Sequence, residues 1–385
     1  MGVPRMQTCR LLTILWCLLM LTEAQVTDSL PKRLMSTAFF PLRHPQVGRT
    51  DWLAARDFSE RYLRALGLNV TRQVFSTTVL FDQDIAQLVE GVNLLAVVPG
   101  RHWDSDAEDD ILVVGAHYDT DVTNMGVRPG SGMVALLELG RHIQERRTTG
   151  LQLDHTVILA ALDLMTSEHS WGKAGDSGAE VFLRGYLNPL LTSRPSRRFR
   201  GAIMLDSVFN FNASVGSQVY PGGFAETFPD VEQTGRGDFL GVVSRPASDA
   251  ALLEALKAVW PAGAGRLQPL SLPQQPPDTE ALFQFLSQGH DAFWNRAAGG
   301  VVSSLPAVLL TDTGRYRQLP RRCLSVDTIC GPREMLTPER MRFFNQTVKA
   351  LTDAVLTMQG SSSSSAVMGS WLLLLTGLLA SCVSH

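Results

Sequence analysis

From residue 52 onward the chain alternates helix-period and strand-period patterns. Residues 52–68, WLAARDFSERYLRALGL, repeat apolar positions every three or four residues and predict a helix. Residues 70–81, VTRQVFSTTVLF, are rich in β-branched residues and predict a strand. Five short apolar runs follow at 93–99, 110–117, 156–163, 201–206 and 307–312. Runs of that length suit strands buried on both faces of a sheet. Between and after them, helical periodicity covers 132–147, 179–191, 247–260 and 337–356, the last opening on Thr337, Pro338 and Glu339. The proline-rich stretch 268–280 reads as a loop. This alternation predicts one α/β domain, spanning 25–360, with a mostly parallel central sheet flanked by helices. In such sheets ligands gather beyond the carboxyl ends of the strands. Four predicted strands end in a polar residue there: His117, Asp163, Asp206 and Asp312.

Composition changes this picture little. The chain has 385 residues, 45% hydrophobic and 18% charged, with a formal net charge of −3. That balance is globular and gives no electrostatic footprint for nucleic acid.

The two ends say more. Residues 1–24 have the arginines Arg5 and Arg10, a short apolar run, and small residues Thr22 and Ala24 before a potential cut, as a secretory signal peptide has. Residues 361–385 begin with Ser361, Ser362, Ser363, Ser364 and Ser365, continue through a short spacer, and close on an apolar run from Trp371 to Val383. That order predicts a stalk and a glycolipid (GPI) anchor signal, hence a membrane attachment through lipid on the outer face of the plasma membrane. If the tail is not processed, the alternative is a secreted protein. Of five cysteines, Cys9, Cys17 and Cys382 lie in the end segments, leaving Cys323 and Cys330 as a disulfide pair in an oxidising compartment. Sequons at Asn69, Asn212 and Asn345 fit a glycoprotein.

Three motifs carry candidate chemistry: VVGAHYDT ending at residue 120, PGSGMVALLELGRHI at 129–143, and LLTDTGRYR at 309–317. Together, in this order, they resemble the di-zinc aminopeptidase superfamily, which includes glutamate carboxypeptidase, the glutaminyl cyclases and the protease-like domain of the transferrin receptor. The resemblance spans roughly residues 50–356. It implies two zinc ions held by five ligands, with a glutamate as general base on a metal-bound water. His117 matches the first ligand, Asp206 a late aspartate ligand, and Asp119 the carboxylate that orients the histidine.

The other positions depart from the pattern. Arg128 stands where a bridging aspartate belongs, Met165 and Thr166 where paired glutamates belong, and Cys323 where the last histidine belongs. Glu168 is a shifted candidate for a lost carboxylate; Asp121 and His290 are further substitutes. The SEHSW segment looks more like the glutaminyl cyclases, whose single-zinc ligand positions have also changed. The reading is therefore a cell-surface binding module with no expected cofactor, which takes an unknown protein or peptide ligand. The alternative is a zinc-dependent aminopeptidase or glutaminyl cyclase with an atypical metal site.

Overall fold

The computed structural model describes residues 29–82, 85–120, 130–165, 175–263, 265–286, 289–294, 304–317 and 330–363. Eight strands form the central sheet: β1 (Asn69–Asp82), β2 (Ile85–Val98), β3 (Asp109–His117), β4 (Val157–Leu162), β5 (Arg197–Leu205), β6 (Phe239–Ser244), β7 (Arg266–Ser271) and β8 (Ala307–Thr311). Their spatial order is β1-β2-β4-β3-β5-β8-β6-β7. The centre is parallel as expected, β4 with β3, β3 with β5, and β5 with β8. Both flanks depart from that. β1 and β2 form a long antiparallel hairpin, β2 runs antiparallel to β4, and β8 runs antiparallel to β6. The hairpin follows from having no helix between two β-rich segments, since a parallel return needs a crossover.

Period-2 alternation divides the interior into two cores. On β4, Val157, Leu159 and Ala161 join one cluster, and Ile158, Ala160 and Leu162 join the other. The first core is covered by α1 (Leu30–Thr37), α2 (Arg49–Ala65), α3 (Ser131–Thr148), α4 (Ala250–Val259) and α5 (Pro338–Met358). α3 runs through the middle of that layer, buried at 131–140 and at Ile143, which explains its nearly all-round apolar sequence. α5 starts where expected, with the Thr337 hydroxyl accepting from the Arg340 N–H.

Three expectations need correction. The strand expected at 93–99 begins eight residues earlier, because β2 pairs with the whole length of β1. The helix expected over 179–191 is broken into Gly178–Phe182, a π-helical turn Leu183–Leu187, and Asn188–Ser193. Pro189 lacks the N–H that a regular ladder would need there. The loop expected at 268–280 is a strand for its first residues, since β7 runs to Ser271 with Pro269 inside it. β7 is the sheet's last strand, and an edge strand tolerates a missing donor.

Ser361–Ser363 pair antiparallel with Leu151–Leu153, so the fold continues into the expected stalk. The signal peptide expected at 1–24 and the residues from 364 onward, with the expected anchor signal, lie outside the described part. None of the described helices is long and apolar enough to cross a membrane.

The GSG of the second motif has a packing role of its own. Gly130 is left-handed at φ +60°, the Ser131 hydroxyl accepts from the Val208 N–H at 3.0 Å, and a Cβ on Gly132 would lie 2.3 Å from the Asp206 carbonyl oxygen. α3 therefore starts directly against the end of β5. Gly132→Ala is expected to cost about 1–3 kcal/mol by forcing helix and strand apart. Chemical denaturation of the variant checks this, and an unchanged midpoint would show that the contact relaxes freely.

Candidate functional site

The parallel registers bring His117 opposite Leu162, Ala116 opposite Leu205, and Leu205 opposite Leu310. The carboxyl ends of β3, β4, β5 and β8 thus lie side by side, and the four polar strand ends meet at one edge. His117 is the centre. Its Nδ1 lies 3.0 Å from the Asp119 carbonyl oxygen and 3.3 Å from the Asp119 carboxylate. Its Nε2 faces Asp206 Oδ1 at 3.6 Å. Asp119 is fully buried, and its other oxygen accepts the Met165 N–H at 2.9 Å. Asp206 accepts from the Thr311 hydroxyl at 3.1 Å. An imidazole is thus oriented by one carboxylate on Nδ1 while a second carboxylate stands across from Nε2.

Burial alone would lower the pKa of His117, but Asp119 and Asp206 together outweigh it and raise it to about 9. Without a metal, the ring is an imidazolium at neutral pH, neutralising part of a crowded acidic cluster.

Asp163, one residue beyond β4, holds that cluster in place. Its carboxylate accepts from Trp52 Nε1 at 2.8 Å, the Tyr118 hydroxyl at 2.6 Å, the Val92 N–H at 2.9 Å and the Leu164 N–H at 2.9 Å. Burial, with Asp119 nearby, pushes its carboxyl up to about 7, against the pull of these donors. Arg43 fixes the same loop from the other side. It is 1% exposed, its Nε donates to the Tyr118 carbonyl at 2.7 Å, and its N–H donates to the Thr120 hydroxyl at 2.7 Å. Asp312 fastens the next loop, accepting from the N–H groups of Phe209, Asn210 and Gly314. Buried Arg317 reinforces that loop through Gln218 and the carbonyls of Asn210, Gly237 and Phe239.

The sequence-predicted residues are therefore split. His117, Asp119 and Asp206 come together. Met165, at a glutamate position, is buried in the second core, and its sulfur accepts the Ala179 N–H at 3.2 Å. His290 is fully buried edge-on to Trp294 at 4.5 Å, with no hydrogen-bond partner on either nitrogen among the described residues. Burial pushes its pKa down to about 3, so it is neutral. Arg128, Asp121, Thr166, Glu168 and Cys323 lie outside the described residues. Cys330 is 4% exposed and packs with Met335. Tyr118, Trp52, Arg43 and Arg317 were not singled out from sequence. Tyr118 and Arg317 carry a sequence signal, since they sit inside VVGAHYDT and LLTDTGRYR.

No protein-family model matches the sequence, and no curated protein is similar to it. Solved structures are similar in fold. An aminopeptidase from Aneurinibacillus sp. strain AM-1 superimposes with a TM-score of 0.53 at 11% identity, covering 86% of this chain and 93% of that one. The Macrostomum lignano glutaminyl cyclase gives 0.52 at 13% identity, with 87% and 94% covered. The Fimbriiglobus ruber glutaminyl cyclase gives 0.50 at 18% identity, with 86% and 95% covered. The chain has the fold shared by aminopeptidases and glutaminyl cyclases, over nearly its whole described length. At these identities the likeness is one of architecture.

The described donors at the strand ends do not by themselves complete a two-zinc centre. Among the described residues no group of three or more His, Cys, Asp or Glu side chains is placed to hold a metal ion. Structural zinc takes about four protein ligands and catalytic zinc about three. His117 and Asp206 make two, and Asp119 stands behind the ring.

The charge state of His117 is testable by NMR. Its ring should titrate near pH 9 in metal-free protein, against a value of 6.5 for a free imidazole. Its folded pKa is the higher one, so the stabilisation is complete below pH 6.5 and disappears as pH rises through about 9. The shift corresponds to roughly 3 kcal/mol. Asp206→Asn should lower the midpoint by about one unit or more. A ring still neutral at pH 7 would refute the imidazolium.

Proposed function

We propose that this chain is a cell-surface binding module built on a metallohydrolase fold, without hydrolase activity. Met165 carries the reading. At the position where the resemblance calls for a glutamate it places an apolar side chain in the packed core, with its backbone N–H given to Asp119. A carboxylate in that environment would need a partner that the core does not supply. Arg128 in place of the bridging aspartate points the same way, since it replaces a negative by a positive charge. The ligand is a protein or peptide, the class that this fold's hydrolases handle.

The anchored reading gains support from where the chain leaves the fold. Ser361–Ser363 pair beside Leu151–Leu153, and Asp154 N–H donates to the Gly360 carbonyl, just before β4 begins. That is the amino end of the parallel strands. His117 and Asp206 lie at the carboxyl end, about 20 Å away along six residues of β4. A lipid tether at the serine run would leave the cleft facing away from the membrane, open to ligands from the medium or a facing cell. The pairing of Cys323 with Cys330 belongs to the same reading, and the burial of Cys330 supports it.

A second reading has one observation in its favour. The 3.6 Å between His117 Nε2 and Asp206 Oδ1 is long for a hydrogen bond. Two ligands with metal bonds of about 2.0–2.2 Å stand about that far apart on one zinc. One ion held by these residues and a further donor, such as Glu168, would then give an atypical enzyme.

Metal analysis of the purified protein separates the readings. The binding module should carry less than about 0.1 zinc per chain and show no aminopeptidase or glutaminyl cyclase turnover above background. Arg128→Asp alone should not restore activity, because Met165 supplies no carboxylate and Cys323, paired with Cys330 in this reading, supplies no free thiolate to the second ion. About one zinc per chain, with turnover abolished by a chelator, establishes the second reading instead.

The anchor has its own test. A phosphatidylinositol-specific lipase should release the protein from cells. Retention after treatment, with the intact C-terminal peptide found by mass spectrometry, would disprove the lipid anchor.

A further inference from the structure

At the amino end of the sheet, opposite the His117 cleft, lies a cavity of about 550 Å³. It is lined by Asn69, Thr71, Trp103, Gln144, Arg147 and Tyr186. Asn69 and Thr71 are the two defining residues of a sequon, N-V-T. They are two apart on the edge strand β1, share one face, and are both exposed. The intervening Val70 points the other way, into the first core.

The lining has the composition that a sugar requires. Trp103 and Tyr186 offer partly exposed aromatic surface for the C–H faces of pyranose rings. Both are held in place from behind. The Arg197 guanidinium stacks on the Trp103 ring at 4.4 Å, and Arg194 and Arg197 each donate to the Trp103 carbonyl at 3.0 Å. Tyr186 stacks on Phe182 with ring centroids 5.9 Å apart. Gln144 and Arg147, on the last turns of α3, supply polar groups that no hydrogen bond or ion pair among the described residues engages. Uncommitted donors beside fixed aromatic surface, in a hollow of a few hundred Å³, are the marks of a preformed site for a small polar ligand.

We propose that this cavity is a carbohydrate site occupied by the chain's own N-glycan, attached at Asn69, with its first sugars packed against Trp103 and Tyr186. The proposal rests on the secretory-pathway reading, since the glycan is added only there. Asn345 provides an internal reference, because it is exposed on α5 and does not line this cavity. Docked sugars would also cover the exposed end of β1, an edge strand with backbone groups open to pairing.

The test uses the full chain from mammalian cells grown with kifunensine, so that every N-glycan is oligomannose. Native protein is digested with endoglycosidase H, and cleavage is followed at each sequon by glycopeptide mass spectrometry. Cleavage at Asn69 should be at least about tenfold slower than at Asn345 in native protein, and equal after denaturation. The variant Trp103→Ala should bring the two native rates together. So should Gln144→Ala/Arg147→Ala, which changes only the end of a helix and leaves the core intact. Equal native rates in the unmodified protein would overturn the proposal. So would a bare Asn69 beside an occupied Asn345, which leaves the secretory reading standing. Both sites bare would remove the proposal together with that reading. Binding of free oligomannose to glycosylated protein as strongly as to Asn69→Gln would show a groove open to foreign glycans, and would also overturn self-occupancy.

Discussion

The geometry of the cleft depends on one buried carboxylate. Asp163 gathers the indole of Trp52 from α2, the backbone of Val92 from β2, the hydroxyl of Tyr118 from the loop after β3, and the N–H of Leu164 from its own turn. Four donors from separate parts of the chain thus converge on a side chain with no solvent exposure. Each donor left unsatisfied in the interior would cost about 1–3 kcal/mol, so the position resists substitution whether or not the cleft does chemistry. Tyr118 is pinned by this contact and lies between His117 and Asp119. The orientation of the imidazole and of its carboxylate partner is therefore inherited from a packing interaction behind them.

That arrangement separates structure from catalysis in this fold. Asp119, Asp163 and Asp206 crowd carboxyl groups at the strand ends, and such a cluster favours a cation or a retained proton. Two divalent ions would supply it in a hydrolase. Here a proton on His117 supplies part of it, at much smaller charge, so fewer carboxylates are sustainable. Met165 and Arg128, where the resemblance calls for carboxylates, would reduce negative charge in the same sense. Asp312 and Arg317 hold the loops after β5 and β8 mostly through backbone groups, with Gln218 as the one side-chain partner named above, and none of these contacts involves a metal.

The two poles of the sheet then divide the work. The carboxyl pole carries the cleft. The amino pole carries the Ser361–Ser363 pairing, the Asn69 sequon and the aromatic hollow beside it. Such a division follows from parallel strands, whose ends of one kind all face one way. Under the proposed reading it would place attachment and glycan on one side and recognition on the other.

Much of the architecture was legible in the sequence. Short apolar runs marked β3, β4, β5 and β8 because a strand covered on both faces cannot alternate with polar residues, and α2, α3 and α5 showed helical repeats. His117, Asp119 and Asp206 were legible because motif and strand end coincide. β7 was hidden because Pro269 ordinarily marks a break, and only its place at the sheet edge makes the missing donor harmless. The flanking antiparallel pairings were hidden because strand direction depends on long-range order that no local pattern carries. Asp163 looked like one more polar strand end. Only the tertiary structure decided that it would bind Trp52, a residue 111 positions earlier in the chain, and thereby fix the cleft. The sequence determined which side chains stand at the strand ends. The packing of helices and strands decided which of them face one another, because distance and burial set the charge each can bear.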